Sequence, residues 1–205
     1  MIASRIRNLL TAASAAVMLA AASVAPAKAQ VPSFASPPLQ RPTFHAAING
    51  LALPQTGVLD ALCIQGSATA NKIVRVKRIE ISGVDTTAQS AGLSLVLRSV
   101  ADTGGTSTVL TNVAADQTNV AGTAIVRAYT VAPTPGTAIG TIRAAQLTLP
   151  LTTSVPNIPL VWTFDPALLQ QDLVLRGTAQ SACLNFPAAF ATAGPNVNID
   201  VTWTE

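Results

Sequence analysis

The stretch Lys72–Gly83, KIVRVKRIEISG, constrains the fold more than any other because its apolar side chains do not keep a single phase. In an extended chain Val74 and Val76 share one face, while Ile79 and Ile81 share the other. Two arrangements reconcile this. A β-bulge at Lys77-Arg78 adds one residue, returns all four apolar side chains to one face and turns both cations to solvent. Alternatively the strand is buried on both faces, with Arg75 and Arg78 snorkelling out at its ends. Either way the segment is a strand, and Arg75, Lys77 and Arg78 form a candidate surface cluster. With Glu80 beside it, that cluster reads as a solvated strand face that discourages unwanted edge pairing more than as an anion site.

Short strands separated by turn chemistry continue through the rest of the chain. Leu93, Leu95 and Leu97 share a phase, as do Leu147, Leu149 and Leu151, with Pro150 marking an edge position or the end of that strand. Leu160, Trp162 and Phe164 share another, and Val197, Ile199, Val201 and Trp203 alternate cleanly with Asn198, Asp200, Thr202 and Thr204. Further strands are expected over 62–67, 108–113, 123–131, 173–177 and 182–186. Asp102-Thr-Gly-Gly-Thr and Pro133-Thr-Pro-Gly136 are strong turns. Asp165-Pro166 has the form of a helix start, so 166–171 is expected as one helical turn. About nine or ten strands with scarcely any helical period predict an all-β chain, a two-sheet antiparallel β-sandwich. A jelly roll is the preferred topology. An immunoglobulin-like sandwich is second, because Trp162 does not take the place between Cys63 and Cys183 that such domains require.

The N-terminus has the build of a secretory signal: Arg5 and Arg7, an apolar stretch from Leu9 to Val24, and Ala27-Lys28-Ala29 as a small-x-small cleavage site. The expected organisation is a signal peptide at 1–29, a Pro-rich tail or linker at 30–60, and a β-sandwich domain at 61–205. Five of the fourteen prolines fall in the tail, where Phe34, Phe44 and Leu51 could dock it on a domain or leave it a loose arm. Cleavage would remove three of the twelve cations and leave nine against nine acids, so the net +3 belongs to the targeting segment. A balanced mature chain gives little support to phosphate-backbone binding, and no nucleic-acid partner is expected. With charged residues at only 10% of the chain, the surface is built from Thr, Ser, Ala, Gln and Asn, which resists association weakly and favours self-assembly. No mature segment is apolar over a length that spans a bilayer.

Two cysteines, Cys63 and Cys183, are expected to form a disulfide in an oxidising compartment. Leu62 and Ile64 flank one, Ala182 and Leu184 the other, a shared phase that fits neighbouring strands. Such a bridge closes a loop of about 120 residues, worth roughly 4 to 5 kcal/mol in the chain-entropy description. No catalytic motif is present: G-x-S-x-G, the P-loop, H-E-x-x-H and the EF-hand loop are all missing from the sequence. His45, the one histidine, stands in the Pro-rich segment, a poor place for a catalytic base. The acid pairs Asp165 with Asp172 and Asp102 with Asp116 read as turn and loop carboxylates more readily than as glycosidase pairs. Asp116-Gln-Thr-Asn119 offers only a weak set of calcium ligands. Trp162, Phe164 and Trp203 read as core, since each is in phase with aliphatic neighbours. No catalytic residue, cofactor or metal is assigned.

The stretches IQGSATANKIVRVKRIEISG, LVLRSVADTGGTSTV, LVLRG and NIDVTWTE together resemble a loose family of jelly-roll proteins from bacteria and tailed phages, structural modules of trimeric decoration or fibre type. The resemblance spans roughly Leu62 to Glu205 and rests on strand order and residue flavour. It implies a non-enzymatic structural or adhesive module that self-associates. The export signal and the two cysteines depart from the phage pattern and point to secretion, the periplasm or display on the cell surface. The expected partners are further copies of the chain or other surface proteins, with a glycan or other ligand as the alternative.

Overall fold

The computed structural model describes residues 41–205 apart from 56, 58, 154–157, 165–170 and 192–193. The chain divides into residues 1–40 and a second compact unit, residues 41–205. The expected signal peptide (1–29), the start of the Pro-rich segment and the helical turn after Asp165, save Gln171, lie outside the described residues. No described helix is long and apolar enough to cross a membrane.

Twelve strands make up the second unit: β1 (Thr43–Ala52), β2 (Leu59–Gln65), β3 (Ile73–Val84), β4 (Gln89–Arg98), β5 (Thr106–Val109), β6 (Val113–Ala114), β7 (Ile125–Val131), β8 (Ala138–Leu149), β9 (Leu160–Thr163), β10 (Leu173–Arg176), β11 (Ser181–Phe186) and β12 (Asn196–Thr204). They form two antiparallel sheets of six strands, a β-sandwich. Sheet A has the order β10-β3-β12-β1-β6, with β9 also paired to β3. Sheet B has the order β5-β7-β2-β11-β4-β8. Each sheet contributes one apolar face. Val74, Val76, Ile79, Ile81, Val197, Ile199, Val201 and Trp203 come from sheet A, and Leu62, Ile64, Leu93, Leu95, Leu147, Leu149 and Leu184 from sheet B. Trp162 and Phe164 are buried, and Phe44 stacks on Trp203 with ring centroids 5.9 Å apart, so these aromatics serve as core.

The phase break in β3 is resolved by a bulge at the expected place. Thr202 pairs with Arg78 and Trp203 with Val76, leaving Lys77 as the extra residue. Val74, Val76, Ile79 and Ile81 are all buried. On its other side β3 pairs with β10 up to Val76 and with β9 from Arg78 onward, and the Lys77 carbonyl accepts the Phe164 amide at 2.8 Å. The extra residue therefore also marks the handover between two partner strands. Because β3 is paired on both sides, its cations have no edge to protect, contrary to that expectation.

The Pro-rich segment is corrected more sharply. From Thr43 onward it is no tail: β1 lies between β12 and β6, with Phe44, Ala46 and Leu51 buried, and the sandwich begins at residue 43. Its alternation is hard to see because the pairing slips between Ile48 and Leu51, where Gly50 has φ 69°. That left-handed conformation suits glycine, and the Gly50 amide donates to Asn198 Oδ1 at 2.8 Å. The expected strand over 108–113 is likewise divided: β5 closes sheet B and β6 closes sheet A, with Leu110 to Asn112 carrying the chain across. β8 is an edge strand ending at Leu149, as Pro150 suggests. It carries two further bulges, at Ile139 and Ile142, in its exposed half.

Deleting Lys77 would force one apolar pair of β3 out of the core, whereas Lys77→Ala keeps the bulge. Denaturant unfolding should show a loss of at least about 3 kcal/mol for the deletion and under about 1 kcal/mol for the substitution. Similar values for the two would mean that the extra residue does not set the phase.

Candidate functional site

Among the described residues, the densest gathering of reactive side chains lies on the outward face of sheet B. Leu62, Ile64, Ala182 and Leu184 point into the sandwich, so Cys63 and Cys183 point away from it. The two are directly opposed across β2 and β11 and form the expected disulfide, 120 positions apart in the sequence. Asp60 joins them through a second device. The β2/β11 pairing slips between Leu184 and Asn185, leaving Ala61 as an extra residue, and this brings Asp60 to the same face as Cys63. Arg98 arrives from the end of β4 opposite Ser181, on the same outward face.

Two loops close over this face. The segment after β4 and the one after β7 exchange backbone hydrogen bonds, Thr103 N to Thr134 O at 3.0 Å and Thr134 N to Thr103 O at 2.7 Å. Gly136 fits against Val100 so tightly that a Cβ there would sit 1.8 Å from the Val100 carbonyl oxygen, so only glycine is accommodated. Its amide donates to Asp102 Oδ1 at 2.9 Å, and its carbonyl accepts from Arg98 Nη1 at 2.8 Å. Asp102 is thereby carried over the sulfurs: its Oδ2 is 3.2 Å from Cys63 Sγ and 3.9 Å from Cys183 Sγ. A bridged sulfur carries no proton, so any hydrogen in that contact comes from the carboxyl.

The electrostatics are those of two acids sharing one cation. Arg98 Nη2 is 2.5 Å from Asp60 Oδ2, and Nε is 3.3 Å from Asp102 Oδ1, all with side chains 6% exposed or less. Asn185 donates to Asp60 Oδ1 at 2.7 Å. Two ionised carboxylates against one guanidinium would leave a net negative charge without water. Burial, followed by the hydrogen bond and charge of Asp60, raises Asp102 to about 6 against the opposing effects of Gly136 and Arg98. Below about pH 6, with Asp102 protonated, the group is neutral. Burial, and then the Asp102 charge, also raises the Tyr129 hydroxyl.

The other candidates are dispersed. Arg75 and Lys77 both reach Asp172, at 3.4 and 2.6 Å, and Arg78 pairs with Glu80, so every cation of that cluster has an acidic partner. His45 is in β1, with Nδ1 3.1 Å from Thr202 Oγ1. Asp116 accepts from the Thr118 amide and hydroxyl at 2.9 and 2.8 Å, an exposed Asx turn, and these bonds lower its carboxyl. Asp102 lies with Asp60 rather than with Asp116, and Asp165 is outside the described residues. Sequence reasoning missed Asp60 and Arg98. In a regular strand Asp60 would share a face with Leu62 and Ile64, and only the slip at Ala61 moves it. Glu205 was also missed. It accepts from the Thr123 amide and hydroxyl, the Ala124 amide and Trp203 Nε1, and pairs with Lys72 at 3.4 Å. Burial would raise it, but these hydrogen bonds outweigh burial and lower it.

The chain matches no protein-family model, no curated protein and no solved structure.

Two acids therefore impose opposite pH dependences. Asp102, raised in the folded state, stabilises fully below its unfolded value near 3.8, and this contribution fades as pH rises through about 6, by roughly 3 kcal/mol in all. Glu205, lowered in the folded state, contributes above its ordinary value and loses that contribution as pH falls below it. For these two groups stability peaks in mildly acid solution. Unfolding free energy measured from pH 4 to 7 should fall in the wild type and flatten in Asp102→Asn; equal slopes would place the titration elsewhere. Replacing both cysteines by Ala should cost about 2 to 5 kcal/mol in the same assay.

Proposed function

We propose that the chain is an exported, non-enzymatic structural or interaction module that self-associates at or outside the bacterial cell surface. The observation that carries this reading is the division of labour among its side chains. The ionisable groups that the fold gathers, Asp60, Arg98 and Asp102 around the disulfide and Glu205 among its donors, have buried side chains that are each held by hydrogen-bonding or charged partners. Exposed instead are aliphatic side chains, among them Val109, Val113, Val120 and Val131 on or near strands β5, β6 and β7, with Ile139, Ile142, Ile158 and Val161 on or near β8 and β9. β5 and β6 are the outermost strands of the two sheets on one side of the sandwich, so free backbone donors and acceptors lie close to uncovered aliphatic groups. The disulfide suits an oxidising compartment, in keeping with the export signal.

The wiring supports a jelly roll over an immunoglobulin-like sandwich. Setting aside the β5 to β7 excursion, β1, β12, β3 and the β9/β10 pair face β2, β11, β4 and β8, the interleaved order of two Greek keys. A second reading, a ligand- or glycan-binding module, is favoured by an open groove of about 340 Å³ on the outer face of sheet A, lined by Asn49, Glu80, Ser82, Asn198 and Asp200. Trp162, being core, does not serve it.

The test is native mass of the mature protein with and without reductant. A multiple of the chain mass is expected, falling to a single chain in the double variant Val113→Lys with Val120→Lys. A monodisperse single chain at high concentration that turns over a defined substrate would overturn the proposal. Glycan-array binding lost in Asp200→Asn would favour the second reading.

A further inference from the structure

The outward face of sheet B holds a second chemistry that the disulfide conceals. One ligand-capable atom from each of Asp60, Cys63, Asp102 and Cys183 lies within 4.8 Å of the other three. Two thiolates and two carboxylates are a donor set for a borderline-soft divalent ion of the zinc class, which takes four ligands in a closed structural site. Metal–ligand bonds of roughly 2.0 to 2.3 Å imply tetrahedral edges of about 3.3 to 3.8 Å. Asp102 Oδ2 already stands 3.2 and 3.9 Å from the two sulfurs. We propose that when the Cys63–Cys183 bond is reduced, the two sulfurs, Asp60 and Asp102 bind one zinc-class divalent cation beneath the paired loops, so that disulfide and metal are mutually exclusive fastenings of the same spot.

The surroundings supply what such a site needs beyond its ligands. Asn185 Nδ2 holds Asp60 Oδ1 at 2.7 Å, and the Gly136 amide holds Asp102 Oδ1 at 2.9 Å, so each carboxylate is oriented by a donor that is not itself a ligand. Arg98, against Asp60, offsets part of the excess negative charge. The chemistry balances. A phosphine or dithiol supplies two electrons, and with two protons the S–S bond becomes two thiols. Binding of the cation then releases both thiol protons. The geometry separates this cluster from an ordinary buried disulfide, whose surroundings need no carboxylate at all.

Cobalt(II) serves as the probe on the full mature chain. With a phosphine reductant present, one equivalent should give the intense visible bands of tetrahedral cobalt with thiolate charge transfer in the near ultraviolet, and zinc should bleach them. The oxidised protein should give neither. Asp102→Asn, its fold checked by near-ultraviolet circular dichroism in the oxidised form, should weaken cobalt binding at least tenfold. X-ray absorption on the wild-type zinc complex provides a variant-free check, with two sulfur and two oxygen neighbours expected. A weak six-coordinate cobalt spectrum, affinity unchanged in Asp102→Asn, any other sulfur count, or bands that persist in strong denaturant would each overturn the proposal.

Discussion

The central strands of this sandwich must keep one apolar face toward the opposite sheet, and much of the architecture follows from how the chain meets that demand where its sequence slips phase. The side-chain period of a strand is two, so an odd spacing between apolar groups would put half of them in water. An inserted residue is the economical repair. In β3 it is Lys77, in β2 Ala61, and in β1 the slip beside Gly50. Each repair has a local use as well. Lys77 lends its carbonyl to Phe164 where β10 gives way to β9, and the Ala61 slip delivers Asp60 to the sulfurs.

The polar cluster outside sheet B depends on the same accounting. It resembles a small second core, made of a disulfide, an ion-paired arginine and a carboxyl whose pKa is raised by burial. Buried charge is ordinarily costly, and here the cost is limited by setting one guanidinium against two acids, of which burial raises Asp102. What the cluster fastens is also clear from its bonds. Arg98 and Asp102 both grip Gly136, so the turns after β4 and β7 are tied to each other and to the cross-strand bridge below.

The strands and their faces were largely legible because Leu93, Leu95 and Leu97 or Val197, Ile199 and Val201 announce a period of two without help. The bulge at Lys77 was legible because charges sit where the phase breaks. β1 was not, since its pattern of Phe44, Ala46 and Ile48 uses a small residue, follows prolines and is broken by Gly50. The pairing of Cys63 with Cys183 could be anticipated from their flanking residues. Their meeting with Asp60, Arg98 and Asp102 could not, because it needs a slip at Ala61 that leaves no mark in composition, and two loops that find each other only in three dimensions.

The two inserted residues of β8, Ile139 and Ile142, give sheet B a direction. A flat, charge-poor border would invite neighbour after neighbour to add a strand, as in a fibre. Here one border is crumpled twice within four residues, while the opposite border at β5 is short and meets β7 with a single register shift beside Thr106. A copy that joined through β5 would leave the bulged β8 at the far border, which offers no regular strand for a further copy to extend.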